Sequence, residues 1–189
     1  MNLILASASP RRREICALLG IDTVVHPASA EPPFDPAVSA EENALITARA
    51  KAREVAALFP DALVLGADTS VILDTADGYE ALGKPRDEED AKRMLSRLQG
   101  RSHRVLTGVW ACKGDREDGF VSGTAVHFAP MTNEEIADYV ASKDPLDKAG
   151  SYGIQGPCLR YINGIEGDYY TVMGLPAASL WRFLQDFDA

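Results

Sequence analysis

The amino-acid sequence predicts an α/β fold built on a mixed sheet, and three observations carry that expectation. Short apolar runs of strand character alternate with amphipathic helical stretches through the first third of the chain, the pattern of βαβ units. An Asp77-Gly78 pair follows an apolar run and signals a tight hairpin. Two long stretches, "HRVLTGVWAC" at 103–112 and "FVSGTAVHFA" at 120–129, read as an antiparallel pair. Parallel crossovers and hairpins in one chain make the sheet mixed.

In chain order, "LILAS" at 3–7 reads as a strand, followed by a helix over 10–19. Ser9 suits the N-cap, Pro10 the first helical position and Gly20 the position past the end. At roughly 100° per residue, Ile15, Leu18 and Leu19 form the expected buried stripe, with Arg11 and Arg12 on the same side one turn earlier and Arg13 opposite. "DTVVH" at 22–26 is a strand, and the Pro-rich "HPASAEPPFDP" at 26–36 is a loop within the domain. A helix over 40–59 leads to two strands, "ALVLGAD" at 62–68 and "SVILD" at 70–74. After the hairpin comes a helix over 87–98, acidic then basic, which reads as a solvated surface helix suited to the macrodipole. The long strand pair, a helix over 132–142, a Gly-rich segment and a C-terminal helix after Pro176 complete the plan.

With 189 residues the chain is long enough for one well-cored domain or for two lobes. No stretch is long and apolar enough to span a membrane, and "MNLILA" runs at once into Ser, Pro and Arg, so a cytoplasmic protein is expected. A net charge of -9 argues against nucleic-acid binding, which needs a basic face. Cys16, Cys112 and Cys158 lack metal-site spacing and are odd in number, so they read as core thiols. His26, His103 and His127 share no ligand spacing and read as structural.

Against this acidic background, local basic clusters are informative. Arg11 and Arg12 crown the start of a helix whose free N–H groups already favour an anion, either as a phosphate site or as solvated charges. Asp68 stands where an apolar run ends, a place where sheets present catalytic groups, and a carboxylate there holds Mg²⁺, takes a proton from water or simply turns the chain. Glu31, in the loop, is a second carboxylate or a surface residue. Lys51 lies beside small residues on its helix, so its stem lies along the protein with the ammonium at an edge. "GKP" at 83–85 brings Lys84 beside a glycine that permits close backbone approach, although it is also a common turn. "DKAGSYGIQG" at 147–156 is a flexible loop or a binding loop, and Gln155 in it offers both donor and acceptor, as reading a base edge requires. No "GxxxxGK[ST]" phosphate loop is present.

Taken with "SASPRR" at 7–12, Glu31, Lys51-Ala52, "ADT" at 67–69, "GKP", "HRVLTGV" at 103–109, "PLDKAGSYGIQG" at 145–156 and "GDYYTVMGLP" at 167–176, the chain resembles the Maf family. These are septum-formation-protein-like nucleoside triphosphate pyrophosphatases. The resemblance covers nearly the whole chain, as one Maf-like domain over 1–189. It implies a strongly twisted mixed sheet with helices on both faces, two lobes around a central cleft, and a homodimer. It implies hydrolysis of a nucleoside triphosphate to the monophosphate and pyrophosphate, with a divalent metal, Mg²⁺ first and Mn²⁺ or Co²⁺ as alternatives. Asp68 would bind the metal and activate water, Glu31 would help hold the metal, and Arg11, Arg12, Lys51 and Lys84 would neutralise the triphosphate. Ser7 and Ser9 would add contacts at the helix start. Arg12, Thr69 and Gln155 match the branch acting on dTTP and UTP, which makes them the expected specificity residues. An inosine- or xanthosine-type triphosphate pyrophosphatase and a nucleotide-binding regulator of septum formation are the alternatives; any division partner is unspecified. Ala30 departs from the usual acidic residue, "PCLRYING" at 157–164 from a more apolar run, and Asn43 and Thr47 from an aromatic and a leucine.

Overall fold

The computed structural model describes residues 2–76 and 78–188. Strand β1 (Asn2–Leu5) pairs in parallel with β2 (Asp22–Val25), the two joined by helix α1 (Pro10–Leu18). Helix α2 (Ala40–Ala56) then leads to β3 (Val64–Thr75), whose Val64 and Leu65 pair in parallel with Ile4 and Leu5. β4 (Gly78–Leu82) turns back antiparallel on the second half of β3, from Val71↔Leu82 to Thr75↔Gly78. The expected hairpin is therefore present, while Asp77 itself lies outside the described residues. Helix α3 (Glu88–Leu98), the long strands β5 (Ser102–Lys113) and β6 (Arg116–Phe128), and helix α4 (Asn133–Ala141) follow. β7 (Ile162–Glu166) pairs antiparallel with β6, and helices α5 (Tyr169–Met173) and α6 (Ala177–Asp188) close the chain. The sheet runs β2-β1-β3-β5-β6-β7, with β4 attached to β3, so it is mixed as the sequence predicts.

The chain divides into two compact units. One comprises Met1–Thr69, Thr107–Ser122 and Tyr170–Ala189, the other Ser70–Leu106 and Gly123–Tyr169. In the first, Ile4, Ala6, Val55 and Val64 form a buried cluster against which Ala28 and Phe59 pack. Small residues on α2 let it approach the sheet very closely. A Cβ placed on Gly66 would lie 2.3 Å from the Ala48 carbonyl oxygen, and one on Gly108 would lie 2.5 Å from that of Ala44. The second unit is centred on His103, Phe128 and Tyr152, whose rings meet edge to face. Burial lowers His103 to about 4, and its Nε2 lies 2.7 Å from the Tyr152 hydroxyl.

Three elements differ from expectation. The two strands foreseen around Asp68 are one continuous strand: β1 pairs with β3 as far as Leu65 and β4 from Val71 onward, while β5 lies along the other edge. Helix α1 is rotated relative to its expected stripe: Ile15 and Cys16 are buried, and Leu18 is 70% exposed. Helix α3 is not wholly solvated, since Ala91, Met94, Leu95 and Leu98 are buried along with Asp90. Asp90 is held charged, far below the usual carboxylate range, by hydrogen bonds from Arg86 and Arg93. β7 and α5 carry no strong periodic signal and appear only in the structure. All three cysteines are buried and free, and burial pushes their thiols up to about 11, 11 and 12. Among the described residues no helix is long and apolar enough to cross a membrane.

Candidate active site

In the first unit, the start of α1 and the middle of β3 meet through Arg12. It stands three and four residues before Ile15 and Cys16, so the rotation that buries those two also turns Arg12 inward. Its Nε donates to the Gly174 carbonyl at 2.8 Å, one terminal nitrogen to Ser7 Oγ at 3.0 Å and the Ala67 carbonyl at 2.9 Å, and the other to Thr69 Oγ1 at 3.0 Å. Those bonds use all but one of the five N–H groups of a guanidinium. Burial lowers the pKa of Arg12, with the Asp68 carboxylate opposing the shift. Arg11, half-exposed, makes no hydrogen bond or ion pair among the described residues and is the guanidinium left for an anion at this helix start. Arg13 points outward, as expected. Ser9 occupies the N-cap without capping through its side chain; its backbone N–H instead donates to the buried Ser7 Oγ at 3.2 Å.

Asp68 lies three residues beyond Leu65, the last β3 residue paired with β1. The neighbouring strand has ended there even though β3 itself continues, and this leaves the carboxylate half-exposed. Lys51 reaches it from α2, donating from Nζ to Asp68 Oδ1 at 2.8 Å while Glu31 Oε1 lies 3.1 Å from the same nitrogen. The close approach of α2 at Gly66, two residues before Asp68, fixes this reach. Glu31 is exposed, but its loop is anchored: Glu54, one turn after Lys51 on α2, accepts from Ser29 N and Oγ and from Ala30 N at 2.6–3.1 Å. Asn43, which stands where the family has an aromatic residue, also ties this loop, donating from Nδ2 to the Asp35 carbonyl at 2.8 Å.

Asp68 and Glu31 therefore converge on one cationic centre, the Lys51 ammonium. Two hard carboxylate donors about one point suit Mg²⁺, which uses one or two carboxylates and takes its remaining ligands from water and phosphate. Among the described residues no group of three or more His, Cys, Asp or Glu is arranged to hold a metal. A cation seated here would thus depend on non-protein oxygens for the rest of its shell.

Lys84 and Gln155 belong to the second unit. Lys84 is exposed just after β4 and makes no hydrogen bond or ion pair among the described residues. The preceding Gly83 carbonyl accepts from Gly150 N at 3.0 Å, so the "GKP" turn and the Gly-rich segment are joined. That segment is tied down along its length. Lys148 Nζ bonds Asp144 and Asp147, Ser151 is buried in the left-handed region at φ 62°, and Tyr152 meets His103. Gln155 stands exposed in the turn closed by Gly156 N to the Gly153 carbonyl at 3.2 Å.

The Maf-like protein family profile matches residues 2–187. The chain belongs to the Maf family. It is 45% identical over 187 residues to a Bacillus velezensis protein named dTTP/UTP pyrophosphatase, with 99% of this chain and 97% of the relative covered. A protein of the same name from Symbiobacterium thermophilum is 48% identical over 190 residues, covering 98% and 94%. Among solved structures, the Staphylococcus aureus Ham1 protein aligns over 100% of both chains with a TM-score of 0.53 at 13% identity, which is a likeness of fold alone.

Sequence reasoning missed Glu54, the hydroxyl partners of Thr69, and Gly66 with Gly108. A signal for the glycines was available: Ala44, Ala48 and Ala52 recur every fourth residue, the small-residue stripe of a helix pressed against a sheet.

Proposed function

We propose that this protein hydrolyses nucleoside triphosphates, dTTP and UTP ahead of others, to the monophosphate and pyrophosphate. The observation that carries the reading is the convergence of Asp68 and Glu31 on Lys51 beside the anion-favouring start of α1. Near-full-length identity to proteins named for that activity supports it.

In this mechanism Asp68 takes a proton from a water molecule as the water oxygen attacks the α-phosphorus. The bond from that phosphorus to the oxygen bridging it to the β-phosphorus breaks, and the bridging oxygen leaves with its electron pair on pyrophosphate. Lys51 orients the Asp68 carboxylate and holds positive charge beside it. Asp68 and Glu31 would hold Mg²⁺, which when bound supplies charge stabilisation to the phosphate oxygens. Arg11 attracts the triphosphate to the helix start, while Arg12 acts on Thr69 and the α5–α6 turn by holding them in place. The roles given to Lys84 on the triphosphate and Gln155 on the pyrimidine edge rest on their sequence motifs. A cytoplasmic location agrees with three free buried thiols, and a homodimer follows from the family resemblance, to be tested by light scattering.

The test is pyrophosphate release from a panel of dTTP, UTP, CTP, GTP, ITP and XTP, with Mg²⁺ and with chelator. Metal-dependent preference for dTTP and UTP is expected. Preference for ITP or XTP would assign the other pyrophosphatase class, and no turnover of any nucleotide would favour a regulator.

A further inference from the structure

Thr69 is linked to a hydroxyl relay that the mechanism above does not use. Its Oγ1 lies 2.9 Å from Thr107 Oγ1, and Thr107 Oγ1 lies 2.8 Å from the Thr171 carbonyl oxygen. Thr107 is fully buried on β5, and Thr171 is fully buried on α5. The direction of every proton in this relay follows from the partners at its two ends. A carbonyl oxygen only accepts, so the single Thr107 proton goes to Thr171; otherwise two oxygens would face each other at 2.8 Å in a dry interior with no hydrogen between them. Thr107 must then accept from Thr69. At the other end Arg12, which only donates, gives a hydrogen bond to Thr69 Oγ1 at 3.0 Å.

The Thr69 hydroxyl thus donates its one proton inward and takes one bond from Arg12. A single lone pair remains, so toward any ligand Thr69 is an acceptor and nothing else. Thr69 is half-exposed on β3, so part of the residue is open to a ligand.

We propose that Thr107 is a specificity-positioning residue, which fixes Thr69 Oγ1 as an acceptor for the imide N3–H of a uracil or thymine base. This rests on the pyrimidine triphosphate reading given above. Uracil and thymine carry a donor at N3, whereas cytosine carries an acceptor there; a hydroxyl free to rotate would accommodate either, and a locked acceptor repels the second. The discrimination is set by a buried residue that never touches substrate.

The test compares kcat/KM for UTP, 3-methyl-UTP and CTP in wild type, Thr107→Val, Thr107→Ser and Thr69→Val. Wild type should favour UTP over both analogues. Thr107→Val keeps the side-chain shape but frees the Thr69 proton, and should shrink the UTP-to-CTP ratio by about tenfold, the value of one neutral hydrogen bond. Thr107→Ser restores the relay and should keep the ratio. Thr69→Val deletes the acceptor without touching Thr107, and should lose the discrimination as well. An equal fall on all three nucleotides in Thr107→Val, or an unchanged ratio in Thr69→Val, would overturn the inference while leaving the pyrophosphatase reading intact. A wild type with no turnover of UTP would overturn both.

Discussion

Replacing Gly66 with Ala should damage catalysis from a position that touches no substrate. The new Cβ would lie 2.3 Å from the Ala48 carbonyl oxygen and 2.7 Å from Ala52 N, both backbone atoms of α2 that cannot rotate away. Ordinary contact begins at 3.4 Å, so helix and strand must separate by about 1 Å. Lys51 rides on α2 and Asp68 on β3, and their 2.8 Å bond would stretch beyond hydrogen-bonding length. A displacement of this size in a reacting constellation costs about 100-fold in rate, and overpacking a close contact costs about 1–3 kcal/mol of stability. The assay is kcat for pyrophosphate release alongside Tm, with Gly164→Ala as a control, since a Cβ there meets nothing within 4 Å. A Gly66→Ala protein with wild-type kcat would refute the claim that the α2 approach sets the Lys51–Asp68 geometry.

Further outcomes follow from the same geometry. Arg12→Ala should cost about 2–4 kcal/mol, because it strips buried carbonyls and hydroxyls of a charged donor, while Arg13→Ala should stay within about 0.5 kcal/mol; equal losses in urea melts would contradict the assigned orientation of α1. Glu54→Gln should raise the Mg²⁺ concentration for half-maximal rate by about tenfold, as loss of a group that orients a ligand does, and an unchanged Mg²⁺ dependence would detach Glu54 from the Glu31 loop. His103 is neutral in the folded chain, with its pKa lowered by burial from 6.5 to about 4. The unfolded chain therefore binds the extra proton first, and stability is lost as pH falls from about 6.5 to about 4. Over that window the loss is roughly 3 kcal/mol, measured as the difference in acid sensitivity between wild type and His103→Gln; identical pH profiles would contradict it.

The chemistry of the site was more legible in the sequence than its geometry. Asp68, Lys51, Glu31 and Arg11 could be named because each residue type announces its charge and sits at a motif or an element end. What holds Arg12 in place could not be read, because its partners Thr69 and Gly174 lie 57 and 162 residues away, and only folding shows that the protein takes up all but one of its donors. The Thr69–Thr107 bond spans 38 residues between two β-branched residues that any strand favours. Strand β3 misled for a related reason: a polar "ADTS" looks like a break, and it pairs with neither β1, which stops at Leu65, nor β4, which begins at Val71, yet β5 lies along the other edge of the strand. Periodicity fails for β7 because "INGIE" is half-buried and contains a glycine.

The central claim is that Asp68 activates water for attack on the triphosphate. Its most direct test is pyrophosphate release from dTTP and UTP with Mg²⁺, comparing the wild-type protein with Asp68→Asn at equal Tm. The account predicts a fall of at least about 100-fold, the contribution of a general base; a folded Asp68→Asn protein that turns over at near wild-type rate would contradict it.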